Sequence, residues 1–407
     1  MRLLFAQVNA WIGSKSGGLI AQRLCAEGIA RLGHECHVIV RLFDPRNDRP
    51  HLTGLPTDSA EYTFHQTREA LEAQGIPYRA IEPDGIAFEL SGVQVHAIGN
   101  VYGAYCSHLE QRIRELEPDW IQVTDVDDGP PFLDICQRES GGRVIGHFHS
   151  VSHMPFGPQA LAPHDPERTR ALRGLRGIIC PSRFGCEYAR QYGGLEATPL
   201  YYDIYGKGPF PDLASFDRGY VTVINPCDLK GLPVFVELAR AMPDVAFAAV
   251  PTWGKSPAVL AQLQALDNVE IWPPVDDIDE IFARTRVLLA PALWLETFGM
   301  TIVEAQLRGI PVLASDLGGH PESKLGVEHL LPVNPLRFDT VGGRRQMTIP
   351  EQHVTPWITA LRQLLTDRDE YQRVSRASRA AATQFVHDIG WEHFVDHFER
   401  LAAAPAR

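Results

Sequence analysis

The sequence predicts an α/β chain built as two Rossmann-like, doubly wound parallel-sheet domains. Three observations carry that expectation. The 407 residues exceed one typical domain and suit two of roughly 200 each. Short apolar runs of strand length recur along the chain, separated by loops and by helices with one apolar face. Glycine pairs, Gly17-Gly18 and Gly318-Gly319, stand in loops of such strand–loop–helix units, where open α/β sheets place their ligands.

Composition narrows the class. The chain is 44% apolar and 22% charged, as globular proteins are. No apolar run reaches the ~18 residues of a membrane span. The N-terminus enters strand Arg2-Leu3-Leu4-Phe5-Ala6 without a signal peptide, so the expected location is the cytoplasm. A net charge of −12 argues against nucleic-acid partners and anionic membranes. The seven cysteines show no CxxC pair and no metal spacing, and they read as small core residues.

In the N-terminal half, residues 1–41 read as β-loop-α-β. Strand 2–8 leads into a loop with Trp11, then a helix over 19–32 with Ile20, Leu24, Ile29 and Leu32 on one face, then strand 36–40. Gly17-Gly18 at the helix start lets a ligand approach the backbone, although the pattern is not GxGxxG. Residues 42–92, rich in Pro, Asp and His, read as a variable excursion with one helix near 67–75. Strand 93–98, helix 105–116 and strand 120–124 follow. The last runs into Asp125-Val126-Asp127, a DxD that fits either a diphosphate-bound Mg²⁺ or an acidic acceptor loop or helix cap. Strand 143–148 carries His147 and, just beyond it, His149, which alternation puts on one face at its carboxyl end. Strand 177–181 leads to Ser182-Arg183-Phe184 and a helix. The Gly-, Pro- and Asp-rich segment 203–217 reads as the interdomain linker.

The C-terminal half restarts the pattern. Strand 220–225 runs into Asn225 and Lys230-Gly231 ahead of a helix with Phe235, Leu238 and Ala239. Strands 245–250 and 269–272 follow, the second leading to Pro273-Pro274-Val275, and a helix starts near Asp277. The most informative stretch is Ala290 to Glu322. There, a loop with Trp294 and Glu296 precedes a helix starting near Phe298-Gly299, which Gly309 stops; strand 310–314 and Gly318-Gly319 complete the unit. The first helical turn leaves amides at Gly299, Met300 and Thr301 unpaired, an anion site. Glu296 and Glu304 are acceptors and call for hydroxyl partners. Phosphate at the helix end with hydroxyls on both sides describes a nucleotide sugar. Three helices over 355–366, 369–385 and 391–403 close the chain.

This stretch resembles the signature of retaining glycosyltransferases of family 4, which have the GT-B fold: a glutamate, Phe-Gly, a helix with a second glutamate, a Gly-x-Pro-Val strand and a Gly-Gly loop. The resemblance is strong over 220–325, weaker over 1–40 and 143–194, and absent over 42–92. It implies two domains (1–205 for the acceptor, 206–387 for the nucleotide sugar) facing across a cleft, with a helix over 388–407 returning to the first. It implies donor contacts from Gly17, Gly18, Lys230, Pro274, Val275, Glu296, Phe298, Gly299, Met300, Thr301 and Glu304, with Glu304 on the ribose. It gives Lys230, Glu296 and His149 the catalytic positions. Asn225 stands where the family usually has an Arg on the phosphates, which removes one positive charge. Trp11, Asp125, Asp127, His147 and Arg183 are assigned to the acceptor side, with Arg183 also a source for the missing charge.

The expected activity is transfer of a sugar from a nucleotide diphosphate sugar, UDP-linked first and GDP-linked next, to a small soluble acceptor. Anomeric configuration is retained by a same-face mechanism that needs no metal or other cofactor. An acidic chain without a basic amphipathic helix argues against a lipid-anchored acceptor, and homodimerisation stays open. The alternatives are another GT-B enzyme, such as a nucleotide-sugar epimerase, and a non-catalytic nucleotide-sugar-binding protein.

Overall fold

A computed structural model describes residues 1–7, 11–12, 17–42, 64–82, 85–99, 102–124 and 130–404. They divide into two units. One runs to Ile204 and resumes at Ile389; the other is Tyr205–Asp388.

In the first unit, β1 (Arg2–Gln7) passes through α1 (Gly17–Arg31) to β2 (Glu35–Arg41). Next come α2 (Phe64–Ala73), β3 (Tyr78–Ile81), β4 (Gly85–Leu90) and β5 (Val93–Ile98). The chain continues through α3 (Tyr102–Leu116), β6 (Trp120–Thr124), α4 (Pro130–Glu139), β7 (Val144–His147) and α5 (Pro166–Arg173). It ends in β8 (Gly177–Cys180), α6 (Arg183–Tyr188) and β9 (Thr198–Pro199). The sheet order is β3-β4-β5-β2-β1-β6-β7-β8-β9. β1 lies between β2 and β6, parallel to both, with Phe5 opposite Val38 and Gln122. Its middle, Leu3 to Ala6, is apolar and buried without alternation, as in a parallel sheet covered on both faces.

The excursion expected over 42–92 is only part of the story. Residues 43–63 lie outside the described residues, but 78–90 add β3 and β4, which extend the sheet antiparallel beyond β5. β3 is a mostly exposed edge strand, so it lacks the apolar alternation that marks a half-buried one.

The second unit holds β10 (Tyr220–Ile224), α7 (Leu232–Ala241), β11 (Phe247–Val250), α8 (Pro257–Gln264) and β12 (Val269–Ile271). Then come α9 (Asp279–Phe282), β13 (Thr285–Ala290), α10 (Met300–Leu307), β14 (Val312–Ser315), α11 (His320–Ser323) and β15 (Leu330–Leu331). The sheet, β12-β11-β10-β13-β14-β15, is parallel throughout. Phe235, Phe247, Leu289, Leu313, Trp357 and Leu361 lie in its core. A hairpin that the sequence reading did not anticipate, β16 (Arg337–Val341) and β17 (Arg344–Thr348), turns at Gly342-Gly343, both at positive φ. It precedes α12 (Thr355–Thr366) and α13 (Arg368–Asp388). The expected linker packs on this unit from Tyr205 onward: Leu213 N–H donates to Arg308 O (3.0 Å) and Ser215 N–H to the Tyr371 hydroxyl (3.1 Å).

The last helix, α14 (Glu392–Ala403), belongs to the first unit. A Cβ on Gly28 of α1 would sit 2.1 Å from the Trp391 ring, so only glycine admits that ring. Arg176 donates to Leu401 O at 2.7 Å. All seven cysteines are free; five are buried, while Cys106 and Cys186 are half-buried.

Candidate functional site

β13 lies between β10 and β14. The loops leaving their carboxyl ends, with Lys230, Glu296 and Gly318-Gly319, are therefore neighbours. The backbone then closes the distance. Gly231 takes φ +85°, and a Cβ there would stand 1.9 Å from Pro291 O. The Leu293 and Trp294 amides both donate to Leu229 O (2.9 and 3.3 Å). With the two loops seated on each other, Lys230 Nζ pairs with Glu296 Oε1. The same oxygen accepts the indole N–H of Trp294. The Trp253 and Trp294 rings stand 6.0 and 5.5 Å from Nζ. Burial pushes the Glu296 pKa up, but Lys230, His320 and the two hydrogen bonds outweigh it, and the carboxyl is held below its usual range.

The second glycine pair serves packing. Gly319 N–H donates to Glu296 O at 2.7 Å. A Cβ at Gly319 would fall 2.2 Å from Thr297 O, and one at Gly318 2.7 Å from Glu296 O. Gly299, at φ +104°, starts α10 with no side-chain cap, which leaves its first turn open to an anion. A Cβ there would sit 2.8 Å from His320 Cδ2. His320 escaped the sequence reading, having no spacing signal. It is buried, its Nδ1 meets Ser315 Oγ at 3.0 Å, and burial brings its pKa down to about 4.

The remaining residues expected on the donor side lie elsewhere in this unit. Phe298 is buried and stacks on Phe385 at 5.8 Å. Met300, Thr301 and Glu304 are half-buried on α10, with Glu304 one turn beyond Met300. Burial raises the Glu304 pKa against the pull of Arg308. Pro274 is exposed in the loop after β12, and Val275 packs against the Trp272–Ile281 cluster. Asn225 does not make good the missing charge. It is buried at φ +58°, and its Oδ1 accepts Gly254 N–H (2.8 Å), tying down the loop that carries Trp253.

The first unit gathers a different cluster where β6 and β7 end. His147 is fully buried, and its ring lies 4.2 Å from that of His149. The Tyr202 hydroxyl donates to His149 Nδ1, so Nε2–H faces Gln22 Oε1 at 3.3 Å. Gln122 Nε2 donates to that same Oε1 (2.9 Å) and to His147 Nδ1 (2.8 Å). Burial, then His153, lowers the His149 pKa to about 3, and burial lowers that of His147 as well. Both rings are neutral near pH 7. Gly18 packs on His149: a Cβ there would sit 3.3 Å from His149 Cβ. Gly17 opens α1 beside it. Trp11 is buried, and Arg183 is exposed at the start of α6. Asp125 and Asp127 lie outside the described residues.

Residues 219–367 match the family described as Glycosyl transferases group 1. A D-inositol 3-phosphate glycosyltransferase of Gordonia bronchialis is 29% identical over 132 residues, 32% of this chain and 24% of that protein. An uncharacterized 42.6 kDa protein in the cps region of Klebsiella pneumoniae is 35% identical over 95 residues, 23% of this chain and 25% of that one. The matching segments thus span about a quarter of these relatives. Two solved structures extend the likeness to the whole chain. A glycosyltransferase from Rickettsia africae has TM-score 0.65 at 13% identity, covering 99% of each chain. Anabaena Alr3699/HepE, solved with UDP and glucose, has TM-score 0.64 at 16% identity, covering 100% of each. At these identities the likeness concerns the fold, two Rossmann-like α/β units of the GT-B class.

Proposed function

We propose that the chain is a retaining glycosyltransferase of family 4, moving a sugar from a nucleotide diphosphate sugar to a small soluble acceptor in the cytoplasm. The observation that carries this reading is the Lys230–Glu296 pair, set beside the uncapped N-terminus of α10. It combines a cation and free amides for a diphosphate with a carboxylate for sugar hydroxyls. The group 1 match over 219–367 supports it, because that segment contains every one of these residues. The Anabaena structure with UDP and glucose supports a UDP-linked donor. The Gordonia relative's name supports a small hydroxylated acceptor.

In this reading Lys230 and the amides of Gly299, Met300 and Thr301 stabilise the departing diphosphate. Glu296 orients the sugar, and Glu304 the ribose. The family resemblance assigns Gly17, Gly18 and the neutral His149 to the donor as well. The leaving phosphate itself takes the acceptor's proton on the same face, so catalysis reduces to charge stabilisation and positioning without a metal.

A thermal-shift screen against UDP-, GDP-, ADP- and dTDP-sugars tests the reading. A ligand at about 100 times its Kd stabilises the fold by ~2.7 kcal/mol, a clear rise in Tm. A selective rise with one base supports it. No rise with any of them overturns it.

A further inference from the structure

We infer that Glu296 is the resident counter-ion of Lys230 in the donor-free protein, so that an incoming diphosphate must displace a carboxylate already seated on that lysine. The inference rests on the donor reading above and adds a role that the reading does not contain.

The geometry is specific. Glu296 Oε1 is shared between Lys230 Nζ and the indole N–H of Trp294. The glutamate side chain is 12% exposed and the lysine 27%, so water screens the pair poorly. Trp253 and Trp294 wall the ammonium, their rings 6.3 Å apart. A diphosphate oxygen that reaches Lys230 competes with Glu296 Oε1 for the ammonium. The lysine charge is therefore already neutralised by Glu296. Only a group carrying more than one negative charge gains by the exchange, which sets a nucleoside diphosphate apart from a monoanion or a neutral sugar.

The exchange also readies the carboxylate. When Lys230 moves to phosphate, Glu296 keeps the Trp294 indole, and its backbone stays pinned by Gly319 N–H. The freed Glu296 then presents a charged acceptor to the sugar hydroxyls. Trp294 is thus a positioning residue that holds Glu296 while its counter-ion is exchanged.

Titration calorimetry with UDP and GDP at fixed ionic strength, on wild type, Glu296→Gln, Lys230→Met and the double variant, tests this. Gln at 296 keeps an oxygen for the indole and removes the competing charge. Glu296→Gln should bind the preferred diphosphate roughly tenfold more tightly than wild type, although it removes a residue assigned to turnover. Lys230→Met should bind it at least tenfold more weakly, and adding Glu296→Gln to Lys230→Met should restore nothing. Melting curves of the four proteins check that each is folded. If wild type binds a diphosphate and Glu296→Gln binds it equally or less well, the counter-ion role is overturned and the donor site stands. A gain from Glu296→Gln that persists without Lys230 overturns it too. If wild type binds none of UDP, GDP, ADP and dTDP, the donor reading falls and takes the inference with it.

Discussion

The clusters at the carboxyl ends of the two sheets have opposite electrostatics. In the second unit, Glu296 is buried and still ionised, because Lys230 is in contact with it. In the first, His147 is buried and His149 half-buried, and both stay neutral, because their neighbours are Gln22, Gln122 and Tyr202. Burial disfavours the charged form at both places; a counter-charge decides the outcome. The difference teaches a division of labour. The charged cluster suits a ligand that brings and takes away charge, while the neutral one suits the orientation of hydroxyls.

The sharpest test of that rule is a residue which breaks the pattern of its own unit. Lys324 is fully buried, donates to Val312 O at 2.6 Å, and is brought by burial to a pKa of about 7, despite Glu328. The unfolded chain binds the proton near pH 10.5 and the folded one only near pH 7, so stability is complete above the first value and falls as pH drops to the second. That is up to ~5 kcal/mol. Lys324→Met should raise Tm at pH 7 and flatten the dependence between pH 7 and 10; an unchanged profile would show that the lysine is already relieved of its burial.

Lys230→Met comes next. On the proposed function, loss of the charge that would stabilise a departing diphosphate should lower kcat by roughly 10²–10³-fold, or ~3–4 kcal/mol. Steady-state kinetics with the donor found by thermal shift would measure it, and a loss below tenfold would break the contrast between the two clusters. Gly231→Ala tests the scaffold instead. It forces a Cβ onto Pro291 O at a left-handed φ, and should cost ~3 kcal/mol of stability in denaturant melts. Wild-type stability would mean that the loops can separate without cost.

His149 gives the counterpart in the neutral cluster. Its folded pKa is near 3 against an ordinary 6.5, so its contribution is complete above pH 6.5 and falls with acidification. Between pH 6.5 and 5 the loss is about 2 kcal/mol. His149→Gln should shrink that acid sensitivity, and it should leave no inflection missing from the activity profile between pH 6 and 8. The smallest effect is that of Glu304→Ala, expected to weaken nucleotide binding about tenfold through one lost ribose contact. Unchanged affinity in calorimetry would take Glu304 out of the site.

What the sequence determined by itself was local. Periodicity and glycine stops placed the strands and helices, down to Trp120–Thr124 and Thr355–Thr366 at their observed bounds. The run from Glu296 through Gly299 to Glu304 was legible because a helix start and its spacing are written in adjacent residues. β3 was not, since an exposed edge strand carries no alternation, and neither was the β16–β17 hairpin.

The tertiary structure decided which distant loops meet. Lys230 reaches Glu296 because β10 and β13 are parallel neighbours and because Gly231 leaves room for Pro291. Asn225 ties down a loop instead of carrying charge, His320 joins the cluster without any motif, and Lys324 is sealed in the core. Each of these depends on which strand lies beside which and on how much water remains. Sequence periodicity records neither, because it reports the face of a single element and not the partner set against it.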